Sequence, residues 1–334
     1  MQGRRLEPLV PWLFLAPALC VLGLFGLFPI GYALFVSLHE WRIRKGGFVG
    51  PEHYLRALGD PGALAWFLAG AILAGGALRL LVRARRAWHR AGLLALLATG
   101  AWMLLVPGLG GLVGSGDDRL YNGLRVTAFY ALGTIPLELG ASMLLAYLLL
   151  RILRAKGFFR VLLFLPYVTP VIASAVVFRS MFSPHPASLA NRWWTAGGFP
   201  PLRWLQESRS VAAVGLQALG LERCPAWLDA FFPSLALTAI ILYNIWVYIG
   251  YDTVILLAGL SAIPRHYYEA AEIDGASSWQ VFRHITLPLV SPTVFFLSMV
   301  AVIGTFKAFN HIYIMRTPGA RDSVDVLSVA IFDL

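Results

Sequence analysis

Apolar stretches that are long enough to cross a membrane contain ionisable residues, among them Glu138, Asp252, Lys307 and His311. A charged group is costly in hydrocarbon, so such residues usually pair with one another or face a polar cavity. Lys307 and His311 are four residues apart and would share one face of a continuous helix. The pattern predicts a polar lining for a solute pathway, with a structural ion pair between Asp252 and Lys307 as the alternative.

Two stripes of polar and aromatic side chains recur at helical spacing on two of these stretches. The stripes consist of Asn244, Tyr248 and Tyr251, and of Phe306, Asn310 and Tyr313. Amide groups hydrogen-bond sugar hydroxyls and aromatic faces stack on sugar rings, so the stripes predict a sugar-binding lining. The alternative is that these side chains join helices to each other or form an aromatic belt at the membrane interface.

Between the two stretches lies a polar segment, residues 261–288, whose first half carries helix signals. Pro264 suits the first turn of a helix, where its missing N–H costs nothing. Gly275 suits the left-handed position that follows a helix end. We therefore predict a short helix from Pro264 to about Asp274.

The second half of this segment predicts another short helix. Ser277 and Gln280 form the S-x-x-Q pattern of a capping box, which starts a helix. We expect this helix to run to about Ile285, and Pro288 to open the next spanning helix.

This segment also predicts a surface for docking another protein. Ala270 and Ala271 keep one helix face small, and Glu269 offers a charge to a basic residue on the partner. Phe282 and Ile285 offer apolar anchors. The alternative is an ordinary amphipathic connector at the membrane surface.

The composition predicts an all-α polytopic membrane protein. Hydrophobic residues make up 58% of the chain and charged residues 13%, and the mean hydropathy is +0.71. Soluble domains carry about 25% charged residues. The formal charge of +10 arises from short basic runs between apolar segments, which argues against nucleic acid as a partner. Cys20 and Cys224 predict neither a disulfide nor a metal site.

Seven apolar segments approach the ~20 residues that a spanning helix needs, and we expect them to form one membrane domain over residues 1–334. The segments are 11–38, 62–82, 91–113, 122–150, 161–182, 232–260 and 289–315. The first includes the run after Arg4 and Arg5, which is too long for a signal peptide.

The arginines predict the orientation of these segments. Basic residues concentrate in cytoplasmic loops, and two loops and the N-terminus are rich in them: Arg79, Arg83, Arg85, Arg86 and Arg90; Arg151, Arg154, Lys156 and Arg160; Arg4 and Arg5. Placing these inside puts residues 261–288 inside and residues 183–231 outside. Loop 39–61 would then lie outside although it carries Arg42, Arg44, Lys45 and Arg56, which contradicts the charge rule. We give more weight to the other loops, which agree with each other.

The polar segment resembles the EAA loop of permease subunits of ATP-binding-cassette (ABC) importers. The resemblance covers Glu269-Ala270-Ala271, then Asp274-Gly275, and after nine residues Ile285-Thr286-Leu287-Pro288. The resemblance extends to other segments, which look like those of the carbohydrate-uptake permeases, the maltose- and glycerol-phosphate-like group, and of the larger of the two permease subunits. These segments are Pro11–Pro17, Phe48-Val49-Gly50, Asn122-Gly123-Leu124, Gly157–Arg160, Phe164–Tyr167 and Phe309-Asn310.

The resemblance implies a transmembrane domain like that of type I importers, in a bacterial inner membrane with the N-terminus cytoplasmic. It implies that Glu269, Ala270, Ala271, Asp274, Gly275, Phe282, Ile285, Leu287 and Pro288 contact the ATPase. The implied partners are a second permease subunit in a heterodimer, a cytoplasmic ATPase dimer, an extracytoplasmic solute-binding protein and membrane lipid. The outside position of residues 183–231 favours a landing surface for the binding protein, and the alternative is a connecting loop with short helices near Ser208–Leu219. The chain has no G-x-x-x-x-G-K-[ST] motif, so we expect neither nucleotide hydrolysis nor a cofactor.

Two departures from the family pattern are expected. Residues 62–113 form a two-helix insertion, and one spanning helix is missing after residues 289–315. An alternative function is an ion- or proton-coupled secondary transporter, and another is an ABC permease for a non-sugar solute such as glycerol phosphate. A membrane-embedded enzyme has no metal spacing or nucleophile motif to support it.

Overall fold

The computed structural model of the chain describes residues 10–41, 45–83, 87–151, 156–221 and 224–333. The chain divides into two compact units, Met1–Asp118 and Arg119–Leu334. Several basic residues that bear on the orientation lie outside the described residues, namely Arg4, Arg5, Arg42, Arg44, Arg85, Arg86 and Arg154.

The first unit opens with a rod of spanning length. Helix α1 (Val10–Leu22) and helix α2 (Phe28–Ser37) are joined by a π-helical turn over Gly23–Leu27. In this turn the Phe28 N–H donates to the Gly23 carbonyl, five residues back. Pro29 follows immediately and lacks an N–H, so the widened turn adapts the helix to a proline in its interior.

A small hairpin and a short helix follow the rod. Strands β1 (His39–Trp41) and β2 (Lys45–Phe48) pair antiparallel, and α3 (Glu52–Leu58) comes next. Gly59 ends α3 with φ +96°.

Two helices of spanning length follow, as segments 62–82 and 91–113 predict, and they pack closely against each other. They are α4 (Pro61–Arg83) and α5 (Ala87–Met103), and α5 continues through a π-helical turn (Leu104–Gly110) into α6 (Gly111–Ser115). A Cβ on Gly70 would lie 2.5 Å from the Leu104 nitrogen, and one on Gly100 would lie 2.6 Å from the Ala74 nitrogen. The glycines therefore allow backbone-to-backbone packing within this pair.

The second unit is built on three long helices, α7 (Asp118–Arg151), α13 (Leu235–Ser261) and α16 (Leu287–Lys307). Helix α13 lies at the centre, with Tyr243 1% exposed and Leu256 fully buried. A Cβ on Gly250 would lie 1.7 Å from the Leu163 carbonyl oxygen, so only glycine permits this approach.

The segment 161–182 has spanning length, as expected, but it is sharply bent. Helix α8 (Lys156–Val168) and helix α9 (Val171–Met181) meet at a 92° bend. Pro170 lacks the N–H that would continue α8, and its ring keeps Thr169 out of helical geometry.

The segment 289–315 is also broken, contrary to the prediction. Helix α16 ends at Lys307, and a separate short helix, α17 (Asn310–Met315), follows. Ala308 between them is extended (φ −64°, ψ 115°), and its carbonyl accepts a hydrogen bond from the Ser328 hydroxyl. Residues distant in the sequence therefore replace the helical hydrogen bonds at this break.

Residues 183–231 fold into short helices over a buried amide. The helices are α10 (Leu189–Ala196), α11 (Val211–Ala218) and α12 (Ala226–Phe231), with a 3₁₀ turn at Trp204–Gln206. Asn191 is fully buried and accepts from the Trp204 indole at 2.9 Å. On the same segment, the hydrogen-bonded Arg209 guanidinium holds the pKa of the Glu207 carboxyl below its ordinary value.

The last described residues fold back through an ion cluster. A 3₁₀ turn (Pro318–Ala320) leads to α18 (Arg321–Val324) and α19 (Leu327–Phe332). Arg316 pairs with Asp333 at 2.5 Å and with Asp325 at 3.4 Å. The hydrogen bond from Arg316 lowers the pKa of Asp333.

Within the described residues, six helices are long and apolar enough to cross a membrane, and the bent pair α8–α9 would make a seventh. This count agrees with the expected all-helical, polytopic fold.

Candidate functional site

A cavity of about 380 Å³ opens between the long helices of the second unit. Helices α7, α8, α9, α13, α16 and α17 all contribute to its wall. Its polar and aromatic lining residues are Glu138, Tyr167, Asn244, Tyr248, Tyr251, Asp252, Thr305, Lys307, Phe309, Asn310 and His311. All four ionisable residues singled out in the sequence therefore lie at one cavity.

One wall carries two carboxyl groups. Glu138 on α7 and Asp252 on α13 are each 4% exposed and lie within hydrogen-bonding reach of each other. Asn244, two turns before Asp252, donates from its Nδ2 to Glu138 Oε2 at 3.1 Å. The Asn244 amide therefore holds Glu138 in place, and this is a contact that helical spacing alone does not reveal.

Another part of the cavity wall is made by the break between α16 and α17. Because the chain turns at Ala308 and Phe309, Lys307 and His311 do not share the face of one helix as predicted. Both nevertheless line the cavity, together with Asn310.

The second predicted stripe is dispersed by the same break. Of Phe306, Asn310 and Tyr313, only Asn310 lines the cavity. Phe306 is 48% exposed, and Tyr313 stacks on Phe309 with ring centroids 5.2 Å apart. The continuous Phe306–Asn310–Tyr313 face is therefore wrong, whereas Asn244, Tyr248 and Tyr251 do line the cavity together.

An aromatic floor completes the cavity and includes a residue that the sequence reasoning missed. Tyr167 stacks on Tyr251 at 4.6 Å with the ring planes 21° apart, and it meets Tyr248 edge-on at 5.8 Å. Tyr167 is the penultimate residue of α8, two positions before Thr169 at the bend. Discontinuous helices often mark binding sites in transporters, so the proline pattern was the available signal.

His311 is held by a hydrogen bond rather than left free. Its Nε2 lies 2.9 Å from the Tyr130 hydroxyl, and both residues are buried. The alternative that the sequence left open, an ion pair between Asp252 and Lys307, is not formed among the described residues.

The segment 261–288 forms a helix, a tight turn and a second helix. The first helix, α14 (His266–Ile273), begins two residues later than expected at Pro264. Gly275 has φ +72°, the Ala276 N–H donates to the Ala271 carbonyl, and the Gly275 N–H donates to the Glu272 carbonyl. These two bonds form the Schellman end that Gly275 predicts.

The second helix does not stop at Ile285, contrary to expectation. Helix α15 (Ser278–Val281) starts with the predicted capping box of Ser277 and Gln280. It continues through a π-helical turn (Phe282–Thr286) directly into α16. The Leu287 N–H donates to the Phe282 carbonyl, so the wider turn accommodates Pro288, as it does before Pro29.

The side chains of this segment divide between an outer and an inner face. Ala271 is buried while Ala270 is exposed, so the two alanines do not keep one common face small. The outer group comprises Glu269, Ala270, Asp274, Gly275, Leu287 and Pro288, and Phe282 and Ile285 are partly buried.

Two exposed apolar residues on this segment were missed. Ile273 is 87% exposed and Trp279 is 65% exposed. Trp279 stacks on Phe282 at 5.7 Å, and Phe282 meets Tyr147 edge-on at 6.0 Å. A groove of about 360 Å³ runs past Asp274, Gly275 and Ile285. Exposed large apolar side chains beside a groove indicate a contact surface.

A comparison with protein families decides the class of this chain. Residues 138–322 match the family described as binding-protein-dependent transport system inner membrane component. This chain belongs to that family. The match starts at Glu138 and includes the cavity wall and the segment 261–288. The chain is thus a transport permease subunit with multiple membrane passes.

Individual relatives agree with this family. The chain is 31% identical to the lactose transport system permease protein LacF of Rhizobium radiobacter over 245 residues, covering 71% of this permease and 73% of LacF. It is 27% identical to the arabinooligosaccharides transport system permease protein AraP of Bacillus subtilis, covering 64% of this permease and 61% of AraP.

A solved structure shares the fold. A chain from the crystal structure of a bacterial alginate ABC transporter, in complex with an alginate pentasaccharide-bound periplasmic protein, matches with a TM-score of 0.52 and 21% identity. The match covers 65% of this permease and 68% of that chain.

Proposed function

We propose that this permease forms the translocation pathway for a neutral sugar, and that a separate cytoplasmic ATPase drives it through the segment 261–288. The observation that carries the proposal is the cavity itself. It is lined by amide, carboxyl and tyrosine side chains, and two of its walls, α13 and α16, are the helices that flank this segment. The relatives named for lactose and arabinooligosaccharide transport support a sugar as the solute.

The lining favours a neutral sugar over a phosphate-bearing solute. A phosphate group calls for arginine or for several lysines, because bidentate, charged donors match its oxygens. Lys307 is the one lysine or arginine among the described residues of the cavity lining, where two carboxyl groups also lie. Glycerol phosphate therefore remains a second candidate with weaker support.

The route from ATPase to cavity follows one continuous rod. Helix α15, the π-helical turn and α16 run without a break from Ser278 to Lys307. Movement of a docked ATPase against Trp279, Asp274 and Gly275 would tilt this rod and shift Lys307 at the cavity. The proposed contact region also includes Glu269, Ala270, Phe282, Ile285, Leu287 and Pro288. Ala271 is buried beneath this surface.

The proposed assembly contains a second permease subunit, two ATPase subunits, an extracytoplasmic solute-binding protein and surrounding lipid. The N-terminus lies in the cytoplasm, and residues 183–231 face outward, where the binding protein lands. Single-domain organisation over 1–334 and an inserted helix pair at 62–113 are part of the same proposal.

Solute accumulation by cells that express the complete transporter tests this function. We expect ATP-dependent accumulation of at least one neutral di- or oligosaccharide from a panel that includes lactose, maltose and arabinobiose. Accumulation of glycerol phosphate with none of the sugars would contradict the assignment of a neutral sugar.

A further inference from the structure

One carboxylate oxygen in the cavity wall has no hydrogen-bond donor among the described residues. Asp252 is 4% exposed and lines the cavity, and its Oδ2 atom is buried with no donor among the described residues. A buried acceptor without a partner costs free energy that a suitable donor recovers. A proton carried by Glu138, or a donor from outside the described side chains, would satisfy this oxygen.

Three polar side chains of the cavity lining are already engaged in hydrogen bonds. Asn244 donates to Glu138, the Thr305 hydroxyl donates to the Val302 carbonyl at 2.8 Å, and His311 is hydrogen-bonded to Tyr130. Glu138, beside Asp252, is another acceptor. Two carboxyl groups side by side offer acceptors only, unless a proton is shared between them.

We propose that Asp252 is a solute-binding residue whose carboxylate accepts hydrogen bonds from hydroxyl groups of the transported sugar. Glu138 lies next to it and is fixed by Asn244, so the wall is prepared for a solute rich in hydroxyl donors. The aromatic floor of Tyr167 and Tyr251 provides a flat apolar surface for the ring of the same solute. This inference rests on the proposed function and adds the group that recognises the sugar.

The test compares sugar uptake by the wild-type chain and by Asp252→Asn. Both are assembled with their partner subunits in proteoliposomes at saturating binding protein. The probes are the transported sugar and its monodeoxy analogues, with each hydroxyl removed in turn. Because one binding protein serves both chains, its own preference cancels in the ratio between them.

We expect Asp252→Asn to slow uptake of the parent sugar by roughly 10- to 100-fold, the range for losing a hydrogen bond to a charged group. One deoxy analogue should be taken up poorly by the wild type and show no further loss in the variant. The two losses would then not add, as expected for groups that contact each other.

Thr253→Val serves as the matched control. Thr253 is fully buried on the same helix, and its hydroxyl donates only to the Ile249 carbonyl at 2.6 Å. This variant should transport the whole panel like the wild type. If Asp252→Asn fails to assemble, Asp252→Glu replaces it in the test. Asp252→Glu keeps the carboxylate but displaces it, so we expect it to change the relative uptake of the monodeoxy analogues.

Two results would overturn the inference while sugar transport stands. One is unchanged uptake by Asp252→Asn, which would mean that a proton between the carboxyl groups already satisfies Asp252. The other is an equal loss for every analogue together with a lower melting temperature, which would make Asp252 a structural residue. Absence of sugar uptake by the wild type would instead contradict the proposed function, and the inference with it.

Discussion

Asn244 and Glu138 are joined by a hydrogen bond of 3.1 Å that crosses from α13 to α7 inside the cavity wall. Both residues are at least nine-tenths buried. One of the two N–H groups of the Asn244 amide is thus used to hold the Glu138 carboxyl group in place. This contact makes Asn244 a positioning residue for the wall.

Asn244→Asp tests this role with almost no change in shape. It removes the donor and sets a third carboxyl group against Glu138, so we expect uptake to fall at least about tenfold, the effect of losing one charge-assisted bond. Asn244→Asp combined with Glu138→Gln restores a donor to the contact and should recover part of the uptake. Full uptake by the single variant would contradict the positioning role.

Asn310 is the member of the second stripe that lines the cavity, so its substitution should reduce sugar uptake more than substitution of Phe306 or Tyr313. Asn310→Leu should reduce sugar uptake, since an unpaired sugar hydroxyl is costly in a dry site. Phe306→Leu, on a half-exposed residue outside the lining, is the control and should transport normally. If Asn310→Leu transports normally but weakens the detergent-solubilised complex, the residue joins helices instead.

The turn at Gly275 should be required for coupling. Gly275→Asp places a Cβ at φ +72°, a strained conformation that costs about 1–2 kcal/mol, and adds a charge at the proposed docking groove. Gly220 has φ +83° with open space around it, so Gly220→Asp imposes the same strain far along the chain. We expect Gly275→Asp and Glu269→Lys to abolish ATP-driven uptake while membrane insertion persists, and Gly220→Asp to retain it.

Normal uptake by both Gly275→Asp and Glu269→Lys would remove the coupling role of this segment. If Gly220→Asp also lost uptake, the loss in Gly275→Asp would be explained by backbone strain at any such glycine and not by the docking segment.

The orientation predicts which side of the membrane each loop faces. Single cysteines at positions 88 and 195 replace an exposed tryptophan and an exposed threonine in a background without Cys20 and Cys224. Impermeant maleimide should label position 195 from the outside, and position 88 only after the membrane is opened. Labelling of both positions in intact cells would overturn the orientation.

The sequence predicted those parts that depend on neighbours in the chain. Gly275 and the pair Ser277 and Gln280 foretold the helix end and the capping box because both motifs form within a few residues. The apolar composition of each segment likewise predicted a spanning helix, because it is a property of about 20 consecutive residues.

Distant contacts account for the failures. The break at Ala308 depends on Ser328, and Phe309 packs against Phe332 at 5.0 Å, so neither contact is visible in a local pattern. The hydrogen bond between Asn244 and Glu138 spans 106 positions. Pro170 did signal the bend that brings Tyr167 to the cavity, but a run of apolar residues on both sides favoured a single helix.

The source of energy for transport is the most direct test of the account. The complete transporter is reconstituted in proteoliposomes, and uptake of the transported sugar is measured under two conditions. In one, ATP is supplied on the side of the membrane where the ATPase lies; in the other, a proton gradient is imposed without ATP. We expect uptake with ATP, none with the gradient, and none with ATP when Gly275→Asp replaces the wild-type chain. Uptake by the permease alone, driven by the gradient without the ATPase, would contradict the account and establish a secondary transporter.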